Sequence, residues 1–288
     1  GSTDATIPIA KSFGARVLEF SWGDDFSAAR NVGLEAAIGE WIMMLDADEE
    51  LAESSREGVR PLLSNQEAEG YFFRRLDRLD GQVIEGECHL LRLWRNRPER
   101  RYRRRIHENI HQQVVAHRGA AALKSPDILV WHYGYSTAER QRKSTHERNQ
   151  RILLLELQEH PDDPFVHFNL AQEFFAIGDL ASAKRDYTEA RRLLGSQTPA
   201  YFGFLMSRLA ECCKRQGDSA QARDILLQGY QQMPYAGELL LSLAQLEQAT
   251  GDLPRAAQHF RQCIVLGEKH VQGGYVLWGL VERAWWSL

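Results

Sequence analysis

The first part of the chain alternates between short apolar runs and polar loops. Residues 16–20 alternate and are rich in strand formers, and residues 40–45 are an apolar run of strand length. Between them, residues 27–38 carry small or apolar side chains at helical spacing, and Gly39 follows as at a helix C-terminus. Strand, helix, buried strand and acidic loop are the order of an α/β unit with a parallel sheet. Further strands are predicted over residues 71–74, 83–94 and 128–133.

From residue 161 onward, the pattern becomes helical and repeats. Segments 161–195, 200–234 and 235–268 each contain an apolar stretch, a Gly-Asp pair and a second amphipathic stretch. The Gly-Asp pairs lie 39 and 34 residues apart, and 34 residues is the tetratricopeptide period. Because such units bury their apolar faces only by stacking, three of them predict a minimal solenoid. The equivalent small residues, and the bulky residues that follow them, are Ala171, Ala210, Ala244, Ala183, Ala222, Ala256, Tyr187, Leu226 and Phe260.

The segments around the repeats complete the predicted organisation. Residues 1–135 form the first domain, residues 136–160 a connecting helix and residues 161–270 the repeats. Residues 271–288 are predicted to be a helix that caps the solenoid. The tryptophans of that segment alternatively form an exposed apolar patch for a partner; they are Trp278, Trp285 and Trp286.

Composition narrows the class of protein. Of 288 residues, 43% are hydrophobic and 26% charged, as in soluble globular proteins, which excludes a disordered or fibrous chain. The apolar runs are far shorter than the roughly 20 residues of a membrane helix, so no transmembrane segment is expected. A net charge of −4 argues against nucleic acid as a partner. The four cysteines have no paired spacing, which predicts reduced thiols and a cytoplasmic location.

Candidate chemistry concentrates directly after the apolar run 40–45. Asp46 and Asp48 follow that run, and α/β proteins bind ligands at the carboxyl ends of their strands. Carboxylate oxygens there suit Mg²⁺ or Mn²⁺, with phosphate oxygens completing the shell. Arg30, in the early turns of the preceding helix, can contact a phosphate in bidentate fashion. Alternatively, it forms a salt bridge with Asp24 or Asp25.

Several motifs occur in a characteristic order. They are Gly1-Ser-Thr-Asp-Ala-Thr6, Ala29-Arg-Asn31, Gly39-Glu-Trp-Ile42 and Leu45-Asp-Ala-Asp48. Together they resemble the family 2 glycosyltransferases of the GT-A fold. The later Arg105-Ile-His-Glu108 and Trp131-His-Tyr-Gly-Tyr135 resemble a bacterial branch in which tetratricopeptide repeats follow this domain. The S-glycosyltransferases that modify bacteriocin peptides have a similar layout.

The resemblance implies an α/β domain followed by an all-α tetratricopeptide-repeat solenoid. The α/β domain would be an incomplete GT-A fold with a Rossmann-like, mostly parallel sheet. Family members begin with a strand, a helix and a second strand that ends in the motif at which this chain starts. We therefore expect the first strands to be missing here, and either a longer native protein or a partner to supply that edge.

The resemblance also implies a metal site. In the family, the Asp-x-Asp motif holds a divalent metal against the diphosphate of a nucleotide-sugar donor. Asp46 and Asp48 are thus the candidate ligands of Mn²⁺ or Mg²⁺. A downstream histidine often joins the metal in GT-A enzymes, which makes His107 the candidate third ligand and His132 the second choice.

Donor binding and proton transfer have their own candidates. By resemblance, Asp4, Arg30 and Asp46 line the donor site. Inverting transfer needs a carboxylate that takes the proton of the acceptor, and Glu108 is the candidate base, with Glu87 as the second choice. Without the family pattern, a His-Glu pair is more often structural than catalytic.

Eight arginines lie between positions 92 and 105. A solvated basic face is the simplest interpretation of this run. It alternatively forms an electropositive wall for the donor diphosphate or for an acidic acceptor. RNA binding lacks support, since the chain has no RNA-binding motif and its net charge is negative.

The main hypothesis is a metal-dependent, inverting glycosyltransferase that uses a nucleotide-sugar donor. The repeats would recognise the acceptor or form a homodimer. Tetratricopeptide grooves bind extended or helical peptides, which favours a peptide or protein acceptor, and a lipid-linked or saccharide acceptor is the alternative. The rival hypothesis is an inactive glycosyltransferase remnant whose repeats act as a protein-binding scaffold.

Overall fold

The structure, a computed structural model, describes residues 2–79, 82–133 and 144–269. These residues divide into two compact units. One unit contains the described residues up to 75 and those from 89 to 133, and the other contains those of 76–88 and from 144 onward. A sheet with flanking helices precedes helical repeats along the chain, which confirms the predicted fold class of an α/β domain followed by an all-α solenoid.

The α/β part begins with helices α1 (Thr6–Ser12) and α2 (Phe26–Ala36). α2 and the strand after it confirm the helix predicted over 27–38 and the strand predicted over 40–45. The strands are β1 (Trp41–Met43), β2 (Glu49–Leu51), β3 (Gly70–Leu79), β4 (Gln82–Arg95), β5 (Leu123–Lys124) and β6 (Leu129–His132). Helices α3 (Arg56–Leu62) and α4 (His111–Arg118) lie between strands in the sequence.

The strands form one sheet in the order β1-β4-β3-β6-β2, and β5 pairs with β3. Strands β1 and β4 are antiparallel, as are β2 and β6, whereas β3 and β5 are parallel. Neighbouring strands β3 and β4 are separated by only two residues, which excludes a parallel arrangement, because a parallel connection needs a dozen or more residues. The sheet is therefore mixed, and the expectation of a mostly parallel sheet is wrong.

The strand predicted over residues 16–20 is also wrong. These residues are not in a strand, and Leu18 and Phe20 are exposed. A strand is stable only when a neighbour completes its hydrogen bonds. In the part of the chain that the structure describes, no strand pairs with this segment.

Apolar side chains of the β1 segment alternate between two clusters. Trp41 and Leu45 join a cluster with Phe73 and Val130. Ile42 and Met44 join another that includes Trp94, Leu34 of α2 and Val114 of α4. Since successive strand residues point to opposite faces, the sheet carries one apolar layer on each face. This packing fixes the end of β1, where the chemistry-bearing loop begins.

The helical part of the second unit begins with α5 (Ser144–Glu159) and continues as three helix pairs. At each junction within a pair, a glycine in the left-handed region (φ of 85–89°) is followed by an aspartate that accepts a backbone N–H of the next helix. The predicted small and bulky residues of the repeats are all buried. The pairs are α6 (Pro164–Ala176) with α7 (Leu180–Leu194), α8 (Phe202–Arg215) with α9 (Ser219–Gln232), and α10 (Gly237–Thr250) with α11 (Leu253–Lys269).

Two predictions fall partly or wholly outside these residues. The connecting segment is described only from residue 144, and the capping helix over 271–288 lies outside the described residues. In the described residues, no helix combines the length and the apolar character that crossing a membrane requires.

Candidate functional site

The site begins with a tight turn after β1. The amide of Met44 donates to the carbonyl of Arg92 (2.8 Å), which holds the end of this segment against β4. Two hydrogen bonds then close the turn. The amide of Glu49 donates to the carbonyl of Asp46 (3.0 Å), and the amide of Asp46 donates to Oε2 of Glu49 (3.1 Å). Glu49 thereby fixes the backbone from which the Asp46 carboxylate projects.

Arg92 of β4 joins both acidic residues of this turn. Its Nη2 contacts Oε1 of Glu49 and lies 3.3 Å from Oδ2 of Asp46. The Glu49 side chain has no exposed surface, and only 10% of the Arg92 side chain is exposed. Because a buried ion pair has few alternative arrangements, these contacts restrict where the Asp46 carboxylate points.

Helix α2 brings Arg30 to the same carboxylate. Asp25 caps the helix by accepting the amide of Ala28 (2.8 Å). Nη2 of Arg30 lies 2.8 Å from Oδ1 of Asp46, and its Nε lies 2.5 Å from Oε1 of Glu108. Arg30 thus bridges two candidate site residues that are 62 positions apart, which replaces the alternative of a salt bridge with the nearby aspartates.

A closed loop presents Glu108 to Arg30. Arg103 and Asn109 exchange two backbone hydrogen bonds across the base of this loop. Within it, Arg104 (φ 80°) and His107 (φ 54°) adopt the left-handed conformation, which is uncommon for residues with a side chain and marks a backbone held by its surroundings. Part of that hold comes from α2, because the amide of Phe26 donates to the carbonyl of Arg105 (2.8 Å).

Neighbouring groups of opposite charge favour the charged forms of Arg30 and Asp46. Burial alone would lower the pKa of Arg30, but the Glu108 and Asp46 carboxylates outweigh it and raise that pKa. Burial alone would raise the pKa of Asp46, but Arg30 and Arg92 outweigh it and lower that pKa. The nearby Tyr102 is buried, which raises its pKa to about 12, so it stays a neutral phenol under Arg30 (guanidinium carbon to ring centroid 5.6 Å).

Other predicted residues lie outside this ion-pair cluster. Oδ2 of Asp48 lies 3.3 Å from Nε2 of His132. His132, the second choice for the third metal ligand, is therefore the histidine that contacts the Asp-x-Asp motif. His107 has an exposed side chain. The Asp4 carboxylate accepts the amide of Thr6 (3.0 Å) and is exposed. The side chain of Glu87 is outside what the structure describes.

The acidic side chains fit a metal that is only partly coordinated by protein. Across residues 2–79, 82–133 and 144–269, no three His, Cys, Asp or Glu side chains are grouped as a metal cluster, so Asp46, Asp48 and His107 do not form a ready-made cage. Mg²⁺ is commonly held by one or two carboxylates, with substrate phosphates and water as the remaining ligands. Asp46 and Asp48 each have exposed carboxylate surface that could serve as such a ligand, and in this structure the two oxygens of Asp46 pair with Arg30 and Arg92.

Some arginines of the run 92–105 are buried, so the run as a whole is not a solvated basic face. Arg100 is buried and pairs with the buried Glu69, and Arg97 pairs with the same carboxylate (2.9 Å). Arg92 contacts the Asp46 carboxylate through its guanidinium. Sequence reasoning missed Arg92 and Glu49. For Glu49 a signal existed, since a glutamate three residues after a turn-forming residue can accept that residue's amide, as in a capping box.

Comparisons with known proteins match both parts of the chain. Residues 1–125 match the family described as Glycosyl transferase family 2, and residues 204–228 and 237–262 match the Tetratricopeptide repeat. A TPR repeat-containing protein of Synechococcus elongatus is 36% identical over 228 residues, which are 78% of this chain and 56% of that protein. The SPbeta prophage-derived glycosyltransferase SunS of Bacillus subtilis is 26% identical over 180 residues, which are 61% of this chain and 42% of that protein.

Among solved structures, that of the APC/C hetero-tetramer Cut9-Hcn1 has a TM-score of 0.40 and 14% identity, covering 51% of this chain and 28% of that one. The chain spans only about half the length of the two relatives described above.

Proposed function

We propose that this chain, in which a family 2 glycosyltransferase domain precedes tetratricopeptide repeats, transfers a sugar from a nucleotide-sugar donor to an acceptor recognised by the repeats. The observation that carries the proposal is the bridge of Arg30 between Asp46 and Glu108. The Arg30 guanidinium contacts both Asp46, which we propose as a ligand of the metal, and Glu108, which we propose as the base.

The donor would bind at the end of β1. Asp46 and Asp48 would hold Mn²⁺ or Mg²⁺, and the bound metal would supply positive charge that stabilises the departing diphosphate. Arg30 and Arg92 add two guanidinium groups beside Asp46, and guanidinium groups bind phosphate oxygens in bidentate fashion. Asp4 and His107 remain candidates for donor and metal contacts on the family pattern alone.

Glu108 would act as the base of an inverting displacement. A nucleophilic atom of the acceptor attacks the anomeric carbon, the bond from that carbon to the diphosphate oxygen breaks, and its electron pair leaves with the diphosphate. The proton of the acceptor moves to Glu108. Oε1 of Glu108 is held by Arg30, which leaves Oε2 as the oxygen that receives the proton.

The acceptor would be a peptide or protein. Stacked helical repeats form extended binding surfaces, and a peptide can occupy such a surface over several residues. In the described residues, the four cysteines form no disulfide, which supports placing the protein in a reducing compartment.

Calorimetric titration of UDP or GDP with Mn²⁺ into the chain tests the donor site. We expect metal-dependent binding that is lost when Asp46→Ala and Asp48→Ala are combined, and that is retained in Asp127→Ala, an exposed aspartate elsewhere in the same unit. Binding only after the upstream strands are restored would assign the donor site to a longer protein. If neither this chain nor that longer form binds either nucleotide, the transferase proposal is wrong, and the scaffold hypothesis for the repeats takes its place.

A further inference from the structure

Asn31 of α2 bonds to the backbone of Tyr102, the residue that precedes the loop 103–109. Its Oδ1 accepts the amide of Tyr102 (2.8 Å), and its Nδ2 donates to the carbonyl of the same residue (3.0 Å). One side chain thus satisfies both backbone groups of a buried residue, as a residue of an antiparallel neighbouring strand would. The contact joins two segments that are 71 positions apart.

Helix α2 itself does not benefit from an asparagine at this position. Asn31 lies in the interior of the helix, where asparagine is less favourable than alanine. Among the described residues, its side chain bonds to Tyr102 and not to α2. The preceding residue, Arg30, contacts Glu108, so both side chains are directed at the segment that carries the candidate base.

The same edge of α2 contacts the loop at further points. Ser27, one turn before Asn31, donates from Oγ to the carbonyl of Arg104, and Arg30 bonds to Glu108 near the end of the loop. Two loop residues adopt the left-handed conformation (φ 80° and 54°), which residues with a side chain keep only where other contacts offset its cost. The contacts from α2 therefore stabilise a backbone shape that the loop would not keep by itself.

We infer that Asn31 is a positioning residue for Glu108. It fixes the start of the loop, the backbone bonds between Arg103 and Asn109 close the base of the loop, and Oε1 of Glu108 then lies 2.5 Å from Nε of Arg30. The inference deepens the proposed function, since it rests on Glu108 as the base of the transfer. Without Asn31, the loop would separate from α2 more often, and the base would be misplaced for proton transfer.

The test measures how well the Glu108 carboxylate is protected, and it needs no nucleotide. A water-soluble carbodiimide with glycine ethyl ester amidates accessible carboxylates, and mass spectrometry of the digested chain gives the labelling rate at Glu108. Labelling of the native chain should be slow, because only 14% of the Glu108 side chain is exposed and Arg30 engages one of its oxygens. Asn31→Ala should accelerate labelling about tenfold or more, because two hydrogen bonds no longer oppose opening of the loop.

A second variant and a matched control separate positioning from general stability. Asn31→Asp keeps the size of the side chain but places an oxygen against the Tyr102 carbonyl, so it should also accelerate labelling. The control is Asn96→Ala. The Asn96 side chain donates to the carbonyls of Ala37 (3.1 Å) and Gly39 (2.9 Å), just beyond the other end of α2, and its loss should leave the labelling rate of Glu108 unchanged. Thermal unfolding checks that each variant is folded.

Nucleotide binding gives a second readout. Asp46 is held by Arg92 as well as by Arg30, so UDP with Mn²⁺ should bind Asn31→Ala with an affinity within about twofold of that of the native chain. A loss of affinity as large as the gain in labelling would assign Asn31 to the whole site and would overturn its specific role at Glu108. A native chain that binds no nucleotide contradicts the donor-site proposal alone, because the labelling does not depend on nucleotide.

Three labelling results would also overturn the inference. One is a rate at Glu108 in Asn31→Ala and Asn31→Asp equal to that of the native chain. Another is an equal acceleration at Glu108 in Asn96→Ala. The third is an equal acceleration at other carboxylates of the first unit, such as the buried Glu69, which would mean that the substitution destabilises the unit as a whole.

Discussion

At the scale of single residues, the candidate site depends on the buried ion pair between Glu49 and Arg92. Glu49 accepts the amide of Asp46 and the guanidinium of Arg92, while Arg92 also contacts the Asp46 carboxylate. Removing one member of a buried pair leaves the other charge uncompensated. The geometry of Asp46 should therefore be sensitive to a residue that never contacts the donor.

Glu49→Gln tests this dependence. We expect nucleotide affinity to fall about tenfold or more, because the carboxylate of Asp46 loses its fixed direction and Arg92 turns more strongly toward it. The matched control is Glu50→Gln, since Glu50 is the next residue and its exposed carboxylate pairs with the exposed Arg56 and Tyr133. Calorimetry with Mn²⁺ and UDP measures both variants. Equal affinities in the two variants would contradict a positioning role for Glu49.

A second residue-scale prediction concerns acid stability. Burial would raise the pKa of Glu69, but hydrogen bonds from Arg97 and Arg100 outweigh it and lower the pKa from 4.5 to about 2. Because the folded pKa is below the unfolded one, the stabilisation is complete above pH 4.5 and is lost as the pH falls from about 4.5 toward 2.

Glu69→Gln should destabilise the first unit at pH 6 by about 3 kcal/mol, since Arg100 then stays buried without its partner. The variant should also lose less stability than the native chain between pH 5 and pH 3. Urea unfolding across this range measures both effects, with the exposed neighbour Glu67→Gln as control. If the free energy of unfolding changes equally with pH in the native chain and in Glu69→Gln, titration of Glu69 is not the cause of the loss of stability in acid.

At the scale of secondary-structure elements, each repeat turns at a Gly-Asp junction. Gly217 has a φ of 89°, and the carboxylate of Asp218 accepts the amide of Gln221 (2.8 Å) at the start of α9. Gly217→Ala should cost about 1 kcal/mol, because a side chain disfavours this conformation, and Asp218→Ala should cost about 1 kcal/mol through the lost cap.

The control for both substitutions is Asp224→Ala, in the interior of the same helix and exposed. Alanine has a higher helix propensity than aspartate there, so this variant should be as stable as the native chain or slightly more stable. Denaturant unfolding followed by circular dichroism at 222 nm measures all three. Destabilisation by Asp224→Ala equal to that by Asp218→Ala would argue against a specific capping role.

The elements also show which features a sequence can predict. The repeat helices follow a local period of apolar positions, and their ends are marked by Gly217, Asp218 and their equivalents, so short-range information suffices. The segment 16–20 has the composition of a strand but is not in one, because strand formation depends on a neighbour that the local pattern does not specify. The mixed strand directions of the sheet could not be predicted for the same reason, since the tertiary fold decides which strands pair.

At the scale of the whole molecule, motif order indicated part of the candidate site in advance. Arg30, Asp46 and Glu108 come from separate motifs and meet in the structure. Arg92 did not stand out, because it was one of eight arginines in a run, and only the pairing of β4 with β1 brings it to Asp46. Residues that act through tertiary neighbours thus remain hidden in a sequence, whereas residues that carry a family motif do not.

The apolar core of the helical unit continues from one repeat to the next. Leu239 of α10 is buried in the same cluster as Leu205 and Leu226 of the preceding repeat. Leu239→Ala should therefore loosen both repeats together, at a cost of about 2–5 kcal/mol. Each of the two repeats contains a buried cysteine, Cys212 in α8 and Cys263 in α11. Burial raises the pKa of Cys212 to about 11 and that of Cys263 to about 12. A thiol reagent should label them only when the repeats open.

We expect Leu239→Ala to accelerate labelling of Cys212 and Cys263 in parallel, by about 30-fold or more when opening limits the reaction. Mass spectrometry of the labelled peptides measures each site separately. Leu253→Ala, which removes an exposed leucine of α11, should leave both rates unchanged. Acceleration at Cys263 alone would mean that the last repeat opens independently, and the repeats would then lack the coupling that their shared core implies.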